Sequence, residues 1–552
     1  MPYRKIYFLL IILFTTCTMY AQLSTGPEIA WQRCYGTSGG DNFLDAIITN
    51  DDGIIASIYY GGYDGDAEGL SSLSHPAGLM KFDTNINLIW QKYFGGSDNI
   101  SYFKKVIEIT SGFAAVGNTS AFDGDFPDNH GNLDFMMVKV DSVGNKIWSK
   151  CYGGPGIDET EGFLNTLDGG FLLTGRSSAA GGDIPFHYPG GAGDDDAIVI
   201  KTDSLGEIIW VKVLGGTGDD GPLGDIVENE RGYYIINIGA HSNDYDLAES
   251  GISGDKRWIV KLDSLGNIVD ESFMSGATDL YTYTGPTVMP YKDGFLIVGQ
   301  GDPDSELYTT SPEHASDEGA VAIFNGGLDL IFFKQWGGSG FEGFAKAIRD
   351  QNNGNFYYLG ASQSVDYDLP GNYNNGEELD YWLFATDSNF NTLWSRNFGG
   401  SYPQGDLGFG SFSGNIVLQD NMIYAFVKNT IPDSFPDFDI ECGMEGSFDY
   451  YTDAWLVAFD LSTVNIDTPI VENNFSIYPN PAENTIYVLN NTPDSNAYTF
   501  GIYNTLGQKV LETALINNEE NIINIQSLPS GLYVAAIING GIIIQSEKII
   551  LQ

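Results

Sequence analysis

One phrase recurs along most of this chain: an apolar strand, an Asp, a tight turn, a Trp, then Gly-Gly. It runs from Asp83 to Trp90 and Gly95-Gly96, from Asp141 to Trp148 and Gly153-Gly154, from Asp203 to Trp210 and Gly215-Gly216, and from Asp387 to Trp394 and Gly399-Gly400. Two copies are degraded, Asp263 to Asp270 and Asn325 to Phe332. With Trp31, the Trp positions are 31, 90, 148, 210, 270, 332 and 394, which are 58 to 62 residues apart. Each unit offers four short strand candidates, in the second 104–109, 113–117, 135–140 and 147–152. They are β-branched or aromatic and bounded by turn residues. No segment carries a helical period, which excludes a helical solenoid.

Four strands per repeat is the pattern of a propeller blade. The segment around Trp31 has no partner strands before it, and the last three-strand set, ending at 454–460, has no Trp strand after it. The orphan at the front fits the vacancy at the back, and a ring closed this way leaves no open sheet edge. The expected fold is all-β: a seven-bladed β-propeller over 22–460 closed by the N-terminal strand, a linker over 461–474, and a small β-sandwich over 475–552. The Trp residues are expected to pack between neighbouring repeats, and the turn Asp residues to accept backbone N–H groups.

Residues 1–21 read as a signal peptide, with Arg4 and Lys5 before the apolar run Ile6 to Phe14 and cleavage after Ala21. No other stretch is apolar for long enough to form a membrane helix. A net charge of −48 repels nucleic acid and invites divalent cations. Beyond the leader the cysteines are Cys34, Cys151 and Cys442, an odd count, and Cys34 and Cys151 fall at the same place in two repeats. A disulfide framework is therefore not expected to hold the fold.

The runs Tyr93-Phe94-Gly95-Gly96-Ser97, Gly112 to Ser120 and Asp125-Phe126-Pro127 resemble the seven-bladed β-propeller repeat of secreted bacterial proteins. The Asp-turn-Trp phrase also resembles the tryptophan-docking motif of quinoprotein dehydrogenases, although this chain lacks their vicinal cysteine pair and departs from their usual eight blades. Past the linker, Tyr478-Pro479-Asn480-Pro481, the centre Tyr503-Asn504 with Gly507-Gln508 and Val510, and Leu528 with Gly531 and Tyr533 resemble the type A C-terminal sorting domain of the type IX secretion system. That resemblance implies handling by the type IX machinery, outer-membrane export, removal of the domain with attachment to surface lipopolysaccharide, and a source in the Bacteroidota.

Loops between the second and third strands carry Asp-x-Asp in six repeats: Asp64/Asp66, Asp123/Asp125, Asp244/Asp246, Asp302/Asp304, Asp366/Asp368 and Asp437/Asp439. The third repeat has only Gly181-Gly182-Asp183. Loops between repeats add Asp41, Asp98, Asp158, Asp219, Asp220, Asp279 and Asp406, so the acids are expected on one rim. Carboxylates two apart can chelate Ca²⁺, or they can cap turns. The histidines His75, His130, His187, His241 and His314 fall one per repeat, which suits exposed loop residues better than a metal site. No nucleophile elbow or phosphate loop is present. The expectation is a monomeric surface-displayed binding or adhesion module, taking a glycan or protein through exposed aromatics such as Tyr59, Tyr60, Tyr188, Tyr245 and Tyr367. The alternative is an extracellular hydrolase or lyase acting on polysaccharide.

Overall fold

The structure is a computed structural model. It describes residues 24–464 except 63, 68–74, 98–99, 192–193, 253, 276–279, 282–286, 302–317, 367–378, 401–413, 431–438 and 443–451. It also describes 475–551 except 479–481, 483, 491–497, 505–508, 517–518 and 540–541. Two compact units divide the chain, Met1–Asn465 and Ile466–Gln552. Among the described residues the regular elements are β-strands and three-residue 3-10 turns.

The first unit holds seven sheets among its described residues, antiparallel except where Ser24–Thr25 pairs parallel to the last strand of the sixth. Sheet 1 runs from Asn42–Ile48 to Leu88–Phe94, sheet 2 from Ser101–Ile109 to Lys146–Tyr152, and sheet 3 from Asp158–Asn165 to Ile208–Leu214. Sheet 4 runs from Asp220–Pro222 to Ile268–Ser275, sheet 5 from Leu280–Tyr281 to Leu330–Trp336, and sheet 6 from Glu342–Arg349 to Thr392–Phe398. Sheet 7 takes Asn415–Gln419, Met422–Thr430 and Thr452–Asp460 from one end of the unit and Glu28–Tyr35 from the other. In that last pair Trp31 lies opposite Ala458.

The repeated residues explain the local geometry. Asp141 Oδ1 accepts the N–H groups of Val143 and Asn145, fixing the turn before the last strand of the sheet. Asp83, Asp203, Asp263 and Asp387 do the same in their sheets, and Asn325 replaces Asp in sheet 5. The Trp that follows reaches the corresponding turn of the next sheet. Trp90 Nε1 donates to Ser142 O at 3.2 Å, and Trp210 Nε1 to Ser264 O at 3.0 Å. Gly266, at φ +80°, lies flat beneath the Trp210 indole; a Cβ there would come within 3.1 Å of the ring. Glycine thus serves both the left-handed turn and the close approach of the ring.

Seven buried clusters hold these sheets together, each shared by two of them. One joins sheets 1 and 2 through Leu79 and Val138, and another sheets 2 and 3 through Met137 and Ile198. Sheets 3 and 4 share Val199 and Trp258, sheets 4 and 5 Ile259 and Phe295, and sheets 5 and 6 Val321 and Trp382. Sheet 7 packs Trp455 and Val457 against Leu383 of sheet 6, and Leu456 and Phe426 against Phe43 of sheet 1. Alternating residues of one strand therefore serve two cores, as period-two side chains on a sheet buried on both faces must. Each fully buried large side chain contributes about 1.5–3 kcal/mol.

The structure corrects the cysteine expectation. Cys34 and Cys442 form a disulfide, Cα to Cα 5.7 Å, while Cys151 is free and buried. Parity and position within the repeat could not show it. The N-terminal strand lies beside the last sheet, so its cysteine meets a residue 408 positions away.

In the second unit a three-stranded sheet (Phe475–Tyr478, Thr485–Asn490, Glu519–Asn524) and a four-stranded sheet (Tyr498–Tyr503, Lys509–Leu515, Gly531–Asn539, Ile542–Leu551) share one core. Ile486, Val488 and Ile523 of the first meet Phe500, Ile502, Ala535, Ile537 and Ile549 of the second.

Candidate functional site

The Asp-x-Asp carboxylates sit against the Gly-Gly turns that lead from one sheet to the next. At the turn into sheet 4, three successive N–H groups meet three carboxylates: Gly215 donates to Asp246 at 3.2 Å, Gly216 to Asp220 at 2.8 Å and Thr217 to Asp244 at 2.9 Å. The turn into sheet 1 repeats this with Gly36 to Asp66, Thr37 to Asp41 and Ser38 to Asp64. Elsewhere Gly95 donates to Asp125, Ser97 to Asp123, Ser339 to Asp366 and Gly399 to Asp439. Asp183, the single acid of the third repeat, takes the Gly153 N–H at 3.3 Å. Consecutive N–H groups form a nest for an anion, and here the protein's own acids fill it. Those bonds hold the Asp64 carboxyl below its usual range, and Ser97 does the same for Asp123. Asp302, Asp304, Asp368 and Asp437 lie outside the described residues, as do Asp98, Asp279 and Asp406. Among the described residues no group of three or more His, Cys, Asp or Glu side chains is arranged to hold a metal ion.

Asp41, Asp158 and Asp220 gather at these same turns but are not solvated. They are fully buried; Asp158 and Asp220 open the first strands of their sheets and Asp41 immediately precedes one. The reason is the backbone they serve: Asp220 accepts the N–H groups of Gly216, His241 and Ser242. Acids opening the third strands, such as Asp134 and Asp196, are also fully buried. At the junction of sheets 3 and 4 two acids face one glycine; a Cβ on Gly215 would fall 2.8 Å from Asp196 Oδ1 and 2.9 Å from Asp220 Oδ2. Burial pushes Asp41 up to about 7 and Asp158 and Asp196 up to about 6, and it raises Asp134 and Asp220 too.

Two of the aromatics named from sequence meet in the loops between second and third strands. Tyr188 of sheet 3 packs on Tyr245 of sheet 4 with ring centroids 4.8 Å apart, and Phe186 stands edge-on to Tyr188 at 5.3 Å. Tyr188 Oη donates to Asp246 at 3.0 Å, which locks its ring. Burial, then Asp246, raises its phenol. Phe186 is 45% exposed and Tyr245 52%. Tyr245 holds φ +47°, a conformation costly for a bulky residue. Tyr60, by contrast, is fully buried, and Tyr367 is outside the described residues. The histidines divide as well. His75 stacks on Tyr59 and His241 bonds Asp219 O, but His187 is largely buried, with Nδ1 2.6 Å from Tyr188 O. His130 Nδ1 is 2.9 Å from Asp134, and His314 is not described.

A third feature went unread in the sequence. A cavity of about 620 Å³ is lined by first strands of several sheets and the turns that follow them. β-Bulges after Phe43, Phe103 and Phe344 precede Asp45, Lys105 and Lys346, and a bulge re-aims the side chain beside it. Lys105 of sheet 2 forms an ion pair with Asp225 of sheet 4. Lys346 of sheet 6 lies 4.0 Å from the other oxygen of Asp225. Asp45 of sheet 1 accepts the Val106 N–H at 2.9 Å and Asn415 Nδ2 of sheet 7. Phe-x-charged in three first strands was the available signal.

No curated protein matches the chain. Among solved structures it is similar to a protein of unknown function from Dyadobacter fermentans, at 10% identity over 79% of this chain and 99% of that one, with a TM-score of 0.38. It is similar to Chaetomium thermophilum Raptor at 9% identity over 80% of this chain and 30% of that one, TM-score 0.41. A third similarity is to Kuenenia stuttgartiensis hydrazine synthase, at 11% identity over 71% and 93% of the two chains, TM-score 0.34. None is close enough to transfer a function. Residues 476–552 match the secretion system C-terminal sorting domain, so the chain is a cargo of type IX secretion, exported to the cell surface or extracellular space.

Proposed function

We propose that the chain is a binding module displayed at the cell surface, built on a seven-bladed β-propeller closed by its N-terminal strand. A signal peptide over 1–21 would start its export, and the two-sheet C-terminal unit would act as the sorting β-sandwich. Three observations support the ring. Sheet 7 shares cores with both sheet 6 and sheet 1. Its outer strand comes from the other end of the unit. Residues of all seven sheets line one cavity, Phe163 of sheet 3 and Thr287 of sheet 5 among them.

The ligand class is a glycan, and the observation carrying this reading is the Phe186, Tyr188 and Tyr245 surface. Exposed aromatics held rigid by packing and by Asp246 offer apolar ring surfaces for sugar rings, with acceptor groups at their edge for hydroxyls. A strained, exposed Tyr245 is hard to explain by stability alone. A glycan array probed with the mature protein and with Tyr245→Ala tests it. Binding lost in the variant at unchanged melting temperature is the expected result. An array silent for both proteins, or equal binding by both, overturns it.

A further inference from the structure

The cavity and the aromatic surface lie at opposite ends of the strands. The aromatic surface is built on loops between second and third strands, whereas exposed residues of the turns after first strands, Gln351, Asn352, Asp420 and Asn421, line the cavity. The cavity is therefore separate from the aromatic surface. Within it, Asp225 is shared unequally between two lysines, bonded to Lys105 and 4.0 Å from Lys346. Asp45 is already bonded to Val106 N–H and Asn415. Lys346 is thus an amine with one long ionic contact, 14% exposed, beside a second ammonium. The charged groups around it are Asp45, Lys105, Asp225 and, along the same wall, Arg349, Asp350 and Asp420.

We propose that Lys346 is a nucleophilic amine that forms a reversible imine with a small aldehyde or ketone entering this cavity. Burial and the neighbouring ammonium disfavour its charged form, against the pull of Asp225, and bring it down to about 8. An amine desolvated next to another cation is the usual way a lysine becomes a carbonyl nucleophile. The Nζ lone pair attacks the carbonyl carbon, and the C=O π pair moves to oxygen, which takes a proton. Nitrogen loses a proton to give the carbinolamine. Water then returns a second proton to the hydroxyl, which leaves as water while the nitrogen lone pair forms C=N, and the iminium gives up its remaining N–H proton to water. No oxidant or reductant is needed, and water reverses the reaction. A cavity of about 620 Å³ admits a compound the size of an open-chain sugar.

The test uses the mature full chain with glycolaldehyde as probe and cyanoborohydride to trap the imine, read by peptide mass mapping. Exposed Lys146 and Lys292 serve as internal references. Near neutral pH, Lys346 is expected to label about ten-fold faster than either. Lys105→Gln removes the second cation and frees Asp225 for Lys346, so the pH midpoint for labelling should move upward. Labelling of Lys346 no faster than the references from pH about 6 to about 10 overturns the proposal, as does an unmoved midpoint in a folded Lys105→Gln protein.

Discussion

Cys34 and Cys442 fasten the N-terminal strand to the last sheet of its unit across 408 residues of sequence. The bond spans almost the whole first unit, and it suits a chain exported to an oxidising exterior. Removing it with Cys34→Ser and Cys442→Ser should cost roughly 2–5 kcal/mol, because the unfolded chain regains the entropy of a very long loop. Chemical unfolding with and without reductant checks this. Equal midpoints would mean that the strand needs no fastening.

The turn carboxylates should differ sharply in worth. Asp220→Ala leaves the N–H groups of Gly216, His241 and Ser242 without their buried acceptor, for a loss of about 3 kcal/mol or more. Asp123→Ala, at an exposed site holding Ser97, should cost less than about 1 kcal/mol. Urea titrations of the two variants decide the order.

Stability should rise as pH falls from about 7.5 to about 5. Asp41, near 7, and Asp158 and Asp196, near 6, bind protons more tightly folded than unfolded. The native state therefore holds more protons in this window, and their contribution is lost as pH rises through those values. Below about pH 4 the sign reverses, because Asp51, held near 2 by Thr49 and Lys81, binds its proton more tightly in the unfolded chain, so falling pH then favours unfolding. Melting temperatures across this range should pass through a maximum on the acid side of neutrality. A flat or rising profile from pH about 5 to about 7.5 would contradict the buried acids.

Calcium should have little effect on melting if the Asp-x-Asp carboxylates are engaged as caps, as at Gly215, Thr217, Gly36 and Ser38. Thermal melts of EDTA-treated protein with and without millimolar calcium test this. An upward shift of several degrees would assign these loops to chelation instead.

Tyr245→Gly separates strain from contact. Glycine accepts φ +47° without cost, so relief of about 1 kcal/mol should offset the lost packing on Tyr188. Melting temperature should hold while glycan binding disappears. A clear drop in melting temperature would make the ring a structural element.

The repeat was legible because each of its residues acts locally. Asp141 caps the turn it belongs to, and Trp90 and Trp210 reach the equivalent turn one sheet on. The sorting domain was legible for the same reason, as short phrases in fixed order. The candidate sites were less so. Tyr188 and Tyr245 could be named, but Tyr60 looked equivalent and is buried. Asp41, Asp158 and Asp220 looked like rim acids, since nothing in a sequence tells a solvated carboxylate from one sealing buried N–H groups.

By itself, then, the sequence determined the strand period, the repeat length and the export tag, all written in neighbouring residues. Only the tertiary structure decided which distant residues meet: Cys34 with Cys442, Lys105 with Asp225, Tyr188 with Tyr245. Those pairings depend on how successive sheets turn against one another, and that geometry is summed over the whole unit rather than stored in any one repeat.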